Sequence, residues 1–278
     1  MDQQTHETAP TQFIEADGIR FAYRRFGKSG GTPLIFLQYL NNNMDGWDPE
    51  VTNGFAADRE VILFNNAGVA SSGGETPETV SGMTHDAAAF IGALSLKEID
   101  VIGYSLGGMI AQQLALENPK LVRRVILLGT GPRGGEGMTF TELSASEAEK
   151  DPEAFLLAAL FAPSDTGQAA GKAHIQRIKV RKLDRDPPVS LKSGEAQVRA
   201  LREWGPVPSS DRYATLKNIK QPVLVVHGNH DIVVLPVNAL ILEEHLPNAQ
   251  LIMYPDSGHA PQYRHAELFL KHAKLFLN

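Results

Sequence analysis

Residues 99–108 read IDVIGYSLGG, a short β-branched run that leads directly into a serine set between glycines. Apolar residues then recur at helical spacing from Leu106 to Leu114, and this pattern stops before Pro119. The sequence therefore predicts a buried strand, a tight turn that carries Ser105, and a helix. Small residues at positions 103 and 107 would let the strand and the helix approach each other closely.

Further apolar runs have the non-alternating, β-branched character of strands that are covered on both faces. They span residues 34–37, 61–64, 125–128, 223–226 and 251–254. Helical patterns separate most of them, which predicts an α/β fold with a mostly parallel central sheet flanked by helices. An antiparallel hairpin at 13–26, turning at Asp17-Gly18, is expected to precede this sheet.

The interval between Leu128 and Pro222 contains no strand signal. Ser144-x-x-Glu147 has the form of a capping box, and apolar residues recur at helical spacing in 155–160, 175–178 and 198–201. We therefore expect a helical insertion at 136–210, sitting on a core formed by 11–135 and 211–278. Residues 1–10 are polar and are expected to form a flexible tail.

Composition excludes several classes of function. The 278 residues are 42% hydrophobic, as in a folded globular chain, and include no cysteine, which excludes disulfides, iron–sulfur clusters and thiolate zinc sites. A net charge of −6 without a clustered basic face argues against nucleic-acid binding. With no membrane-length apolar run and no secretory signal, we expect a cytoplasmic protein without a membrane partner, compatible with a monomer or a homodimer.

Two serines match the G-x-S-x-G pattern, and their surroundings separate them. Ser105 follows a buried-strand run and opens a helix, which is the strand–turn–helix context that lifts a nucleophile above the sheet edge. Ser29 follows the hairpin and leads towards Pro33, with no helical pattern after it. Ser105 is therefore the predicted nucleophile, and the helix N-terminus beside it would favour a developing oxyanion.

A serine nucleophile needs a base and a group that orients the base. His259 lies in a Ser-Gly-His-Ala-Pro loop after the strand that ends near Tyr254, and His230 is its main competitor. Asp231 follows the strand at 223–226, and Asp256 is the nearest rival for the orienting role. We expect Ser105, Asp231 and His259 to meet at one sheet edge, in the chain order found in α/β hydrolases.

These motifs together make the chain resemble the α/β-hydrolase fold superfamily over about residues 13–277. The resemblance rests on the elbow Gly103–Gly107, on His227-Gly228-x-x-Asp231, and on Ser257-Gly258-His259. It implies a cofactor-free serine mechanism, a helical cap inserted before the last two strands, and an oxyanion hole built from the backbone N–H groups of Leu40 and Leu106.

Two stretches depart from the pattern of this superfamily. Gln38-Tyr39 stands where relatives commonly have His-Gly, so a tyrosine occupies the mouth of the expected pocket. The turn at 65–68 reads Asn-Asn-Ala-Gly in place of an Asp-x-Arg-Gly-like sequence. Relatives that attack epoxides or alkyl halides carry aspartate at the nucleophile position, so Ser105 favours acyl transfer.

The sequence thus predicts a carboxylesterase-like hydrolase that acts on a small ester-like molecule or a lactone. Tyr39, Phe161 and Trp204 are candidates to line its pocket, although Phe161 and Trp204 would also suit packing between cap helices. Three alternatives stay open: a cofactor-free perhydrolase or haloperoxidase-type activity, a C–C bond hydrolase, and a non-catalytic ligand sensor on the same fold.

Two other patterns carry less weight. Gly129-x-Gly131-x-x-Gly134 matches a dinucleotide fingerprint, but no helical pattern follows it. His227, His230, Asp231 and His259 could be drawn as a metal cluster, yet a serine triad already accounts for two of them. We expect neither a cofactor nor a metal.

Overall fold

The computed structural model describes residues 4–140, 151–208 and 211–278. A single sheet of eight strands runs through it in the order β1-β2-β4-β3-β5-β6-β7-β8. The strands are β1 (Gln12–Ala16), β2 (Ile19–Gly27), β3 (Leu34–Leu37), β4 (Glu60–Phe64), β5 (Ile99–Tyr104), β6 (Val122–Leu128), β7 (Val223–Gly228) and β8 (Ala249–Tyr254). Strands β4, β3, β5, β6, β7 and β8 pair with one another in parallel, which confirms the predicted fold class.

The antiparallel part of the sheet is the hairpin β1–β2 and its pairing with β4. Asp17 and Gly18 form the hairpin turn with φ angles of 47° and 77°. Two successive positive φ angles are what a two-residue turn needs to follow the twist of its strands, and Asp-Gly supplies them at low cost. The local sequence therefore favours this register.

Helices cover both faces of the sheet. They are α1 (Pro49–Ala56), α2 (Val80–Ala93), α3 (Leu106–Glu117), α4 (Pro152–Leu160), α5 (Asp165–Arg177), α6 (Leu191–Trp204), α7 (Val237–His245), α8 (Pro261–Arg264) and α9 (Ala266–Leu277). One core lies between the sheet and α2, α3 and α7, and the other lies between the sheet and α1 and α9. Strands β3 and β5, at the centre, are buried along their whole length.

The helices α4, α5 and α6 are inserted between β6 and β7, where the sequence predicts a helical insertion. They touch loops that follow the strands: Ser193 Oγ donates to the carbonyl of Gly68 after β4, and the Leu160 carbonyl accepts the N–H of Ala260 after β8. The insertion therefore lies against the carboxyl edge of the sheet. Its boundaries at 136 and 210 stay predictions, and Ser144-x-x-Glu147 lies outside the described residues.

The N-terminal segment departs from the expectation of a flexible tail. His6 is buried; its N–H donates to Asn53 Oδ1 at 2.8 Å, and its Nδ1 lies 2.9 Å from Thr52 Oγ1. Ala9 is also fully buried. The expectation is wrong for residues 5–9, because polar groups on α1 and a small apolar pocket give this short segment partners that sequence polarity does not reveal.

A buried ionic cluster, called here the Arg24 cluster, joins the sheet to the chain after α5. Arg24 is fully buried on β2; its guanidinium contacts Asp45 at 2.5 Å and lies 3.6 Å from Asp186. Arg181 approaches the same Asp45 carboxylate at 3.8 Å. The cluster fastens the segment between α5 and α6 to the body of the protein. Among the described residues, no helix has the length and apolar character needed to cross a membrane.

Candidate active site

Ser105 occupies a strained turn between β5 and α3. Its φ of 52° and ψ of −115° lie in a region that non-glycine residues seldom adopt. A Cβ on Gly103 would come within 2.3 Å of the Gly107 carbonyl oxygen, and a Cβ on Gly107 within 2.0 Å of the Leu37 carbonyl oxygen. Only glycine fits both positions, as the sequence predicts, and the close approach lifts Ser105 above the carboxyl edge of β5.

Two hydrogen bonds hold this turn against β6. The Ser105 N–H donates to the Leu128 carbonyl at 2.9 Å, and Thr130 Oγ1 donates to the Ser105 carbonyl at 2.9 Å. Ser105 keeps 7% of its surface exposed. Ser29, the other G-x-S-x-G serine, lies in an exposed loop between β2 and β3, far from any helix start.

His259 and Asp231 come together on the loops that follow β8 and β7. His259 Nδ1 lies 2.8 Å from Asp231 Oδ2, and both residues are buried. Since the carboxylate can only accept, Nδ1 carries the proton and donates, which leaves Nε2 of a neutral imidazole free to accept one. The rival Asp256 instead binds Ser164, Thr166 and Arg264, and the competitor His230 is exposed.

Sequence reasoning missed a second histidine on the same carboxylate. His227 is fully buried; its Nε2 lies 3.0 Å from Asp231 Oδ2 and 2.8 Å from the Val234 carbonyl oxygen. Both neighbours are acceptors, so this nitrogen carries a proton. Asp231 Oδ1 accepts the N–H groups of Val233 and Val234 at 2.8 and 3.0 Å. The sequence feature that could have predicted this contact is the i, i+4 spacing of His227 and Asp231 across a turn.

Asp231 is held in its ionised form by these partners. Burial alone would raise the pKa of its carboxyl, but the electrostatic interaction with His259 and the hydrogen bonds from His227 and His259 outweigh burial. The pKa of Asp231 therefore lies well below its usual range. The carboxylate stays charged and fixed in orientation at any pH near neutrality.

The short segment after β6 lies between Ser105 and His259. The N–H of Ser105 is bonded to Leu128, and a Cβ on Gly129 would lie 3.1 Å from His259 Nδ1. The ring of Tyr104, next to Ser105, is centred 5.2 Å from the His259 ring. Within the described residues, no hydrogen bond joins the Ser105 hydroxyl to His259. Such bonds are often long in the absence of substrate and tighten in the complex.

Leu40 and Leu106, the two predicted oxyanion-hole residues, have unused backbone donors. Leu106 begins α3, so its N–H has no helical acceptor, and Leu40 lies in the loop after β3. In the part of the chain that the structure describes, neither N–H donates to a protein acceptor. Two free amides at the same sheet edge as Ser105 could receive a negative oxygen.

The three pocket candidates are all buried; Tyr39 and Phe161 make ring contacts, and Trp204 packs in the core and makes a hydrogen bond. The Tyr39 ring lies 4.6 Å from that of Tyr104, and the Phe161 ring lies 5.8 Å from that of His174. Trp204 packs in the core and donates its indole N–H to the Gly131 carbonyl at 3.3 Å. That these residues line a substrate pocket stays a prediction.

The glycine fingerprint at 129–134 leads into turns, without a helix in its described continuation to residue 140. A nucleotide-binding motif would need that helix. Among the described residues, no group of three histidine, aspartate or glutamate side chains is arranged to hold a metal. The contacts of His227 and His259 with Asp231 are accounted for as hydrogen bonds.

Comparison with known proteins agrees with this geometry. The sequence model of the alpha/beta hydrolase fold family matches residues 32–266. A solved structure of an alpha/beta hydrolase fold protein from Chitinophaga pinensis superposes with a TM-score of 0.94 at 37% identity, covering 99% of each chain.

Two proteins whose descriptions state an activity are less similar to this chain. An enzyme described as degrading N-acyl homoserine lactones has a TM-score of 0.70 at 26% identity, covering 95% of this chain and all of its own. A pimeloyl-[acyl-carrier protein] methyl ester esterase from Nitrosomonas europaea is 30% identical over 182 residues, which are 61% of this chain and 68% of the esterase.

Proposed function

Because the chain belongs to the alpha/beta hydrolase fold family, we propose that it is a serine hydrolase that cleaves a carboxylic ester or a lactone. One observation carries the proposal: the strained turn of Ser105 and the His259–Asp231 hydrogen bond of 2.8 Å occur on loops that follow parallel strands at one sheet edge. The similarity to an esterase and to a lactone-degrading enzyme supports this class of substrate.

In the proposed acylation step, Ser105 Oγ attacks the substrate carbonyl carbon while His259 Nε2 takes its proton. The C=O π electrons move to the carbonyl oxygen and give a tetrahedral intermediate. When the intermediate collapses, the C–O bond to the alcohol breaks, and His259 returns the proton to the leaving alkoxide. Asp231 keeps His259 in the tautomer that can accept at Nε2 and stabilises the imidazolium that forms.

The negative oxygen of the intermediate would bind the backbone N–H groups of Leu40 and Leu106. These donors are fixed before the substrate arrives, so stabilising the oxyanion costs little reorganisation, and one such donor is worth about 10²–10³ in kcat. Water then attacks the acyl-enzyme with His259 as base, which releases the acid and restores Ser105. This chemistry uses only side chains and backbone of the chain itself.

We further propose that α4–α6 act as a cap over the site. The N–H of Ala260, the residue after His259, donates to the Leu160 carbonyl at the end of α4 with a distance of 2.9 Å. Ser105 and His259 keep only 7% and 3% of their surface exposed. Such a covered site suits a small acyl group, with Tyr39, Phe161 and Trp204 as the proposed lining.

The experiment is the hydrolysis of p-nitrophenyl esters from acetate to decanoate, and of a homoserine lactone, by the purified wild type and by Ser105→Ala. Ser29→Ala is the matched control, since it removes the serine of the other G-x-S-x-G stretch. We expect Ser105→Ala to lose more than about 10⁴ in kcat and Ser29→Ala to keep the wild-type rate.

A Ser105→Ala protein that hydrolyses these substrates at the wild-type rate would overturn the proposal. So would a folded wild type that turns over no ester or lactone. A ligand that raises the melting temperature without being consumed would then favour the sensor reading. Peroxide-dependent halogenation only in acetate buffer would favour the perhydrolase reading.

A further inference from the structure

The loop after β3, which carries the Leu40 N–H, is held from the inserted helices by one buried side chain. Gln197 lies in the middle of α6 and is 1% exposed. Its Oε1 accepts the N–H of Asn41 at 2.7 Å, a contact between residues 156 positions apart in the chain. Because a backbone N–H can only donate, the amide must present its oxygen here.

The Leu40 N–H belongs to the peptide between Tyr39 and Leu40, and both neighbouring peptides are anchored by glutamine side chains. On one side, the Tyr39 N–H donates to Gln38 Oε1 at 3.0 Å, and Gln38 Nε2 donates to the Asn43 carbonyl. On the other side, Gln197 holds the Asn41 N–H. Since peptides are planar and rotate only about φ and ψ, fixing the two outer peptides restricts the direction of the Leu40 N–H between them.

The backbone at this point also needs an external restraint. Asn41 has a φ of 56°, in the left-handed region that costs a non-glycine residue energy, although asparagine tolerates it better than most. A strained conformation persists where the surroundings over-determine it. The Gln197 contact is such a restraint, and it comes from α6 and not from the sheet.

We propose that Gln197 is a positioning residue: by accepting the Asn41 N–H it aims the Leu40 N–H at the developing oxyanion, so the oxyanion hole is complete only while α6 is docked. This inference rests on the proposed function. It makes the inserted segment a structural part of the catalytic machinery as well as a cover over the site. Gln197 itself touches no reacting atom.

The test compares three variants with the wild type. Gln197→Met has a similar length and lacks the acceptor, whereas Gln197→Glu keeps an oxygen at that place. Ser193→Ala is the matched control: it removes another hydrogen bond between α6 and the body, the one from Ser193 Oγ to the Gly68 carbonyl, one helical turn earlier. That bond does not involve the loop at 38–43.

Two readouts separate positioning from general packing. The first is whether the variant changes kcat or KM for the p-nitrophenyl ester that the wild type hydrolyses fastest. The second is the inhibition constant of a trifluoromethyl ketone, whose Ser105 adduct places an oxyanion in the hole. We expect Gln197→Met to lower kcat, and to raise the inhibition constant of the ketone, by about tenfold or more, while KM stays nearly unchanged. Ser193→Ala should stay within about threefold of the wild type, and Gln197→Glu, which keeps an acceptor, should recover part of what Gln197→Met loses.

Wild-type kcat and ketone affinity in folded Gln197→Met would overturn the inference. Equal losses in Gln197→Met and Ser193→Ala would also overturn it, because helix docking alone would then explain them. Gln197→Ala, which removes the acceptor without adding bulk, carries the same expectation if the methionine variant fails to fold. An active Ser105→Ala would instead refute the proposed function, so the two failures are distinguishable.

Discussion

Replacing Asp231 by asparagine should inactivate the protein through a change of histidine tautomer. Asp231 Oδ1 accepts two backbone N–H groups, from Val233 and Val234, so the asparagine must place its oxygen there. Its NH₂ group then faces His259 Nδ1, which lies 2.8 Å from Asp231 Oδ2 in the wild type. Two donors cannot face each other, so His259 moves its proton to Nε2 and can no longer accept the Ser105 proton.

The size of the effect follows from the fixed geometry. The backbone donors and the buried loop keep the asparagine side chain in place. The NH₂ group also faces His227 Nε2, which keeps the Val234 carbonyl as its acceptor, so the tautomer of His259 is the change that affects catalysis. In serine hydrolases with this arrangement, the wrong tautomer lowers kcat by about 10⁴. At about 1.36 kcal/mol per factor of ten, this corresponds to about 5.4 kcal/mol of lost transition-state stabilisation.

The assay is the burst of p-nitrophenol on mixing enzyme with p-nitrophenyl acetate, which reports acylation directly. Asp256→Asn is the matched control, because Asp256 lies near His259 in sequence but binds Ser164, Thr166 and Arg264. We expect it to keep the wild-type burst. An Asp231→Asn burst rate within about tenfold of the wild type would refute the reasoning, provided that Ser105→Ala is inactive.

Three further predictions concern stability, each measured by urea unfolding. Arg24→Met removes the buried guanidinium that pairs with Asp45 and Asp186, and it should lower the free energy of unfolding by about 3–5 kcal/mol. Arg25→Met, on the more exposed side of the same strand, should lower it by less than about 1 kcal/mol, and equal losses would contradict this. Burial alone would raise the pKa of Asp48, but hydrogen bonds from the side chains of α5 lower it to about 2. Above pH 4 its charge therefore contributes about 2 kcal/mol to the free energy of unfolding, and this contribution is lost as the pH falls through 2. Asp48→Asn should therefore be less stable than the wild type at pH 7 and equally stable at pH 2. A difference in stability that persists at pH 2 would contradict the assignment. Gly107→Ala should lower the free energy of unfolding by about 3 kcal/mol because its Cβ meets a carbonyl oxygen of β3. Gly92→Ala, with open space around it, should raise the free energy of unfolding by about 0.5–1 kcal/mol. A wild-type urea midpoint for Gly107→Ala would be evidence against the tight elbow.

The sequence alone was enough for the fold and for the order of the candidate site residues along the chain. Buried parallel strands must be continuous apolar runs, and a strand-to-helix elbow must have small residues around its serine, so both leave local patterns. Because Asp231 and His259 follow strands that run parallel to β5, their place at one sheet edge also follows from the chain order. These features depend on neighbours in sequence or on the topology of the sheet.

Only the tertiary structure decided which side chains meet. His227 shares the Asp231 carboxylate with His259, and Gln197 reaches Asn41 from a helix 156 residues away. His6 docks on α1 although its segment reads as a polar tail. Such contacts depend on how distant elements pack and on which buried donor needs an acceptor, and a single polar residue in one sequence carries no mark of its partner.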